Sequence, residues 1–151
     1  MARYRICKSF TVESGHMLSK HSEMCRFPHG HTRTIEVVVN SEVLDGNDMV
    51  VDFKLIKHLA KEHIERYDHR MAINSNDPLR ESIAAIHPDS LIVFEGVDPT
   101  TEVIAKEIFD FIEFQLNKGF AADGYSIQPG KVKLERVRVW ETPSSWAEYS
   151  L

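Results

Sequence analysis

Between His31 and Leu44 the chain alternates: Thr32, Thr34, Glu36 and Asn40 fall on one parity, and Arg33, Ile35, Val37 and Val39 on the other. A period of two belongs to a strand with one face on a core; a helix would scatter the same residues around its circumference. The chain must therefore build a half-buried sheet, and an apolar surface must cover one side of it. The cover is legible downstream. Phe53, Ile56, Leu59, Ala60, Ile64 and Tyr67 recur at helical spacing, so residues 53–67 are predicted to form an amphipathic helix capped by Asp52 and ending at Asp68-His69. A second helix is expected after Pro99-Thr100-Thr101, where a threonine can cap. It runs through Val103, Ile104, Ile108, Phe111 and Ile112 to about Asn117, before Gly119.

Other strands complete the sheet. Tyr4 to Ser14 reads as extended, with Phe10, Val12, Ser14 and then His16 on one parity. Asp45-Gly46-Asn47-Asp48 is turn chemistry, after which Met49-Val50-Val51 is expected to return as a hairpin arm. The closing strand, Lys131 to Thr142, slips phase: Val132 and Leu134 are even, whereas Val137, Val139 and Glu141 are odd. A bulge near Glu135 reconciles them. This order implies an α+β fold with an antiparallel sheet, one domain over residues 1–151 with an irregular insertion at about 76–97. Within that insertion Leu91 to Phe94 offers an edge strand.

Composition sets outer bounds. A chain of 151 residues hides about 70% of its unfolded surface and needs no disulfide staple. Eighteen Lys and Arg against twenty-three Asp and Glu leave a net charge of −5 with no basic tail, which argues against a nucleic-acid partner. The N-terminal MARYRICKSF lacks a signal-peptide apolar stretch, and no run is long enough for a membrane span, so a cytoplasmic protein is expected. Two cysteines, Cys7 and Cys25, fit a reducing compartment. Cys7, inside the apolar first strand, is expected to be buried and inert.

The chemistry concentrates in Cys25-Arg26-Phe27-Pro28-His29-Gly30-His31. On an extended chain residues i and i+2 face one side, so His29 and His31 present two imidazoles about 7 Å apart, with Gly30 leaving room between them. His16, ending a like-facing row on a neighbouring strand, can supply a third nitrogen. Three protein ligands with an open position are the pattern of catalytic zinc; a hydrogen-bonded histidine pair is the plainer alternative. Cys25 is either a fourth ligand closing a structural site or a free thiol beside the metal. Asp68 and His69 either orient each other for proton exchange, or Asp68 simply begins a loop through a turn hydrogen bond. Glu141 ends an apolar strand face, where an unpaired carboxylate is costly. It can accept two parallel hydrogen bonds from a flat heterocycle or pair with a nearby Arg or Lys. Glu102 suits the first turn of the second helix.

Taken in order, Phe10 to Leu18 around His16, Cys25-x-x-x-His29-Gly-His31, Val51-Asp52-Phe53, Asp68-His69, Pro99-Thr-Thr-Glu102 and Glu141-Thr142 resemble the 6-pyruvoyl tetrahydropterin synthase and 6-carboxytetrahydropterin synthase family. The resemblance runs from about Phe10 to Tyr149, except for much of Asn76 to Val97. It implies a tunnelling fold: a four-stranded antiparallel sheet with two helices on one face, trimerising into a barrel and usually pairing into hexamers, with active sites between subunits. By similarity His16, His29 and His31 bind zinc, Cys25 is the proton-abstracting base, and Asp68 and His69 complete the relay. Glu141 is implied to anchor the pterin ring, often acting with that relay, and Thr101 and Glu102 are expected to bind substrate with it. The implied substrate is 7,8-dihydroneopterin triphosphate, whose triphosphate is eliminated while the side chain is rearranged or cleaved. Arg70 and Lys54 are candidate cations for the phosphate tail.

Departures from the family pattern are Arg33, where an aromatic commonly follows His-Gly-His, Asp98 in place of the usual Asn before Pro-Thr, and a longer connection from His69 to Pro99. They bear on side-chain handling more than on pterin binding. The leading expectation is the queuosine-pathway lyase that releases acetaldehyde and triphosphate, with 6-pyruvoyl tetrahydropterin synthase as the near alternative. A non-catalytic, zinc-stabilised pterin-binding oligomer is a rival of another class, and so is a zinc hydrolase using Glu13 or Glu141 to activate water.

Overall fold

A computed structural model describes residues 1–151. Two long strands, β1 (Tyr4–His16) and β2 (His29–Ser41), pair antiparallel along their whole length from Tyr4↔Ser41 to His16↔His29. The next strand in the sheet is β7 (Lys133–Thr142), which is paired in turn with β8 (Ser145–Tyr149), both antiparallel. These four strands form the antiparallel sheet that the resemblance implies. Two short strands extend it on the β1 side, β3 (Met71–Asn74) and β4 (Leu91–Phe94), both parallel to their neighbours. The full order is β4-β3-β1-β2-β7-β8, so the edge strand expected at Leu91 to Phe94 is present. A separate hairpin joins β5 (Phe120–Ala122) to β6 (Tyr125–Ile127).

Helices α1 (Phe53–Glu65) and α3 (Thr101–Lys118) cover one face of the sheet, and a short α2 (Arg80–Ile86) lies between β3 and β4. Their ends follow local chemistry. The Asp52 carboxylate accepts from Lys54 N–H at the start of α1, and the Thr100 hydroxyl accepts from Val103 N–H at the start of α3. Gly119 ends α3 at φ +85°, a conformation that glycine adopts without a Cβ penalty. Val12, Ile35, Val37, Val137 and Val139 on the sheet join Leu55, Ile56, Leu59, Ala60 and Ile64 of α1 and Ile104, Ile108, Phe109 and Ile112 of α3 in one core. Each large apolar side chain buried there contributes about 1.5–3 kcal/mol. Glu107 of α3 ties the helices together by accepting from the Tyr67 hydroxyl and pairing with His63 Nε2 at 2.7 Å.

The bulge expected near Glu135 is present. Val38 pairs with Arg136 and Val39 with Leu134, leaving Glu135 as the extra residue. Three expectations need correction. Met49-Val50-Val51 forms no strand: the Asp45 carboxylate accepts from Asn47 and Met49 N–H, closing a loop that tucks Val50 and Val51 into the core. Phe53 is half exposed, whereas Leu55 and Ile56 of the same first turn are buried in the core. Cys7 is exposed, since odd-numbered residues of β1 face away from the helices. That outer face is polar, with the Thr32 hydroxyl donating to Glu13 and Arg138 paired to Glu148 at 2.8 Å while stacked over Trp146.

Candidate active site

The β1–β2 register assembles the site. His16 lies directly opposite His29, Gly15 opposite Gly30, and Ser14 opposite His31, so all three imidazoles fall on the helix-covered face. The two glycines pair on the opposite face, where the backbones leave little room: a Cβ on Gly30 would lie 3.2 Å from Ser14 O, and one on Gly15 would lie 2.9 Å from the Met71 side chain and 3.3 Å from His29 O. One ligand nitrogen from each histidine lies within 4.8 Å of the other two.

Backbone carbonyls set the imidazoles. His16 Nδ1 donates to Pro99 O at 2.8 Å and His29 Nδ1 to Phe27 O at 2.7 Å, which leaves both Nε2 lone pairs free to bind a cation. His16 Nε2 and His31 Nε2 stand 3.2 Å apart. Two nitrogens bound tetrahedrally to one ion at 2.0–2.1 Å would be spaced by about 3.3 Å. Burial, aided by the Arg33 charge and the other two imidazoles, outweighs the Pro99 bond and brings the His16 pKa down to about 4. Burial and Arg33 likewise lower that of His31. Both shifts favour the neutral form that a metal ligand needs, and the trio fits a metal ion.

Glu141 borders this trio. A second bulge, between the pairs Trp140↔Trp146 and Thr142↔Ser145, makes Glu141 the extra residue of β7. Its Oε1 lies 3.6 Å from both His16 Nε2 and His31 Nε2 and accepts from the Thr101 hydroxyl at 2.9 Å. Burial opposes its ionisation, but Thr101, His31, His16 and Arg33 together hold the carboxyl below its ordinary range. Thr101 is buried in the first turn of α3, and Glu102 beside it is exposed.

Cys25 sits in a 3-10 turn, Met24–Arg26, on the loop between β1 and β2. It is half buried and outside the ligand trio. That loop is fastened by its own backbone, Leu18 N–H to Cys25 O at 3.0 Å, and by Asp98. Asp98 Oδ1 accepts from the Ser19 hydroxyl and the Asn74 amide, and its Oδ2 accepts from Lys20 N–H.

Asp68 and His69 lie along the edge of β1. Asp68 Oδ1 accepts from Glu13 N–H at 2.8 Å, and Oδ2 accepts from His69 Nδ1 at 2.8 Å. Those two bonds hold the Asp68 carboxyl below its usual range. His69 adopts φ +57° and opens onto a cavity of about 440 Å³ shared with Arg70, His87 and Asp89; none of the three histidines lines it. Within one chain the dyad and the trio occupy different places. The Arg70 guanidinium is engaged by Asp89 O and Arg66 O, and Lys54 is exposed at the start of α1. Arg33 and Asp98 stood out in the sequence only as departures. The alternation did place Arg33 with Ile35, Val37 and Val39, and it is fully buried against the site.

An antiparallel sheet with two helices on one face, carrying a three-histidine cluster able to hold a metal ion with a carboxylate beside it, defines an α+β enzyme of the tunnelling-fold type. The model of the 6-pyruvoyl tetrahydropterin synthase family matches residues 5–151. The chain belongs to that family, a family of lyases. It is 32% identical to the 6-carboxy-5,6,7,8-tetrahydropterin synthase of Aquifex aeolicus, over 97% of this chain and 98% of that one. It is 27% identical to the Bacillus subtilis protein of the same name, over 97% and 84%. Among solved structures, a protein of Wolinella succinogenes shares the fold at TM-score 0.78 and 23% identity, covering 99% of both chains. The Caenorhabditis elegans 6-pyruvoyl tetrahydropterin synthase shares it at 0.67 and 19%, covering 100% of this chain and 97% of that one. No helix is long and apolar enough to cross a membrane.

Proposed function

We propose that this chain is a zinc-dependent lyase that converts 7,8-dihydroneopterin triphosphate to 6-carboxy-5,6,7,8-tetrahydropterin, acetaldehyde and triphosphate, consuming one water, in the cytoplasmic route to queuosine and related deazapurines. The observation that carries this reading is the convergence of His16, His29 and His31 beside the Glu141 carboxylate. The names of the curated relatives support the carboxy product over the pyruvoyl one.

Glu141, kept ionised, offers its oxygens to the paired N–H donors of the pterin edge, a charge-assisted bidentate contact. Thr101 holds the carboxylate by its hydroxyl, and Glu102, exposed at the helix start, is assigned a part in binding substrate. Zinc, when bound to the three imidazoles, supplies Lewis acidity that holds the side-chain oxygens of the substrate and acidifies the adjacent C–H. Cys25, a half-buried thiol outside the ligand set, takes that proton as thiolate. The Asp68–His69 pair carries it onward, the carboxylate holding His69 by its Nδ1. Because this pair opens onto a cavity that the trio does not line, it serves the site of a neighbouring protomer in a trimer or hexamer. Lys54, exposed, and Arg70 are the candidate cations for the phosphate tail.

The test is to incubate zinc-loaded protein with 7,8-dihydroneopterin triphosphate and identify products by mass spectrometry. Acetaldehyde together with 6-carboxytetrahydropterin is expected. A pyruvoyl product selects the alternative synthase, and intact substrate overturns the assigned reaction.

A further inference from the structure

A guanidinium has no evident reason to lie where Arg33 lies. The residue is 0% exposed and stands against a cluster built to receive a cation. Its Nη2 is 3.2 Å from His16 Nδ1, but that nitrogen already donates to Pro99 O and offers no lone pair. Its Nε has no partner. The one hydrogen bond its geometry supports is Nη1 to Thr101 Oγ1, at 3.0 Å. Burying such a charge is unfavourable unless it is paired and hydrogen-bonded, and here that falls to Thr101 and, beyond it, the Glu141 carboxylate.

That bond sets a direction. Thr101 has one hydroxyl proton; with the oxygen accepting from Arg33, the proton is turned toward Glu141 Oε1, at 2.9 Å. The same Oε1 lies 3.6 Å from two histidine nitrogens, close to the spacing of about 3.3 Å between two ligands on one tetrahedral zinc. A carboxylate is a competent zinc ligand, and an ion at the trio would draw it inward. Only the pull from Thr101, backed by the buried charge, opposes that movement.

We propose that Arg33 is a positioning residue which, through Thr101, holds the Glu141 carboxylate at the rim of the metal site. There it is kept for the flat heterocycle and prevented from becoming the fourth metal ligand. This rests on the zinc and pterin reading above. It explains how a chain with a carboxylate beside three imidazoles keeps an open position, and it gives Arg33, a departure from the family pattern, a task that an aromatic there could not perform in this way.

The test measures zinc affinity by chelator competition, the visible spectrum of the cobalt-substituted protein, and dihydroneopterin affinity by fluorescence, on the full chain. For Arg33→Met we expect zinc affinity to rise about tenfold, the size of effect that groups supporting metal ligands exert. The cobalt bands should shift toward a carboxylate-bound site, and pterin affinity should fall by a similar factor. A merely structural role would weaken zinc instead. Removing a cation also favours zinc by simple Coulomb attraction, so the gain must shrink when Arg33→Met is made on Glu141→Gln instead of on the wild type; an undiminished gain there overturns the proposal. Should Arg33→Met fail to fold, Thr101→Val cuts the same link without a charge change and should give the same shifts. Arg33→Lys, with one ammonium donor for Thr101, should restore part of the pterin affinity. Unchanged zinc affinity, cobalt spectrum and pterin affinity in Thr101→Val would also refute the clamp. If wild-type protein binds no pterin while the metal readouts shift as stated, the pterin reading falls and the clamp stands.

Discussion

Replacing Asp98 with asparagine, the residue common at this point of the family pattern, should destabilise this chain. The Asp98 carboxylate takes three hydrogen bonds: from the Ser19 hydroxyl at 2.7 Å, the Lys20 N–H at 2.8 Å and the Asn74 amide at 3.0 Å. Asparagine has one carbonyl oxygen. Placed at Oδ1 it keeps Ser19 and Asn74 but sets its NH₂ against Lys20 N–H; flipped, it keeps Lys20 and confronts the Asn74 amide. Either way a donor that the carboxylate satisfied loses its acceptor and the charge that strengthened all three bonds is gone, a cost of about 2–3 kcal/mol. For a domain of this length that is a Tm lower by about 5–10 °C. Thermal and urea unfolding of the metal-free protein, at one protein concentration, reads it. Burial opposes ionisation of Asp98, but the bonds from Ser19, Asn74 and Lys20 prevail and hold its folded pKa below the ordinary aspartate value. The unfolded chain therefore binds more protons across that window, so the carboxylate's contribution is complete at neutral pH and is lost as pH falls through the folded value. The gap between wild type and Asp98→Asn should accordingly be full at pH 7 and narrow below about pH 4. Equal midpoints at pH 7, or a gap that does not narrow in acid, would refute the reasoning.

Other outcomes follow from the same structure. Cys25→Ala should retain one zinc per chain by elemental analysis while turnover falls about 10²-fold or more, the usual scale for a lost general base; loss of zinc would make Cys25 a ligand. Phe109→Ala should cost about 3–5 kcal/mol in urea unfolding, because Phe109 is fully buried and packs edge-on against Tyr149 at 5.0 Å.

Local periodicity reached the elements whose faces differ and missed those defined by tertiary partners. The phase slip in the closing strand located the Glu135 bulge because it interrupts an alternation visible in one strand. The Glu141 bulge leaves no such mark: Val137, Val139 and Glu141 share a parity, and the extra residue is seen only against β8. Met49-Val51 looked like a strand because β-branched residues serve a buried loop as well as a sheet. Parity was a better guide than residue type in two cases. It turns Cys7 outward despite its apolar neighbours, and it places Arg33 inward despite its charge. The three histidines were legible because two sit at i and i+2 and the third ends a like-facing row. The bonds that aim the site were not, since Ser19–Asp98 and Thr101–Glu141 join residues 79 and 40 positions apart and have no local signature.

An open site with three imidazole ligands is the feature on which the lyase reading depends, and zinc X-ray absorption on the loaded protein tests it most directly. The predicted spectrum has three nitrogen scatterers at about 2.0–2.1 Å, one light-atom scatterer from solvent and no sulfur. A sulfur shell near 2.3 Å would put the Cys25 thiolate on the metal, close the site and contradict a lyase that uses that thiol as its base.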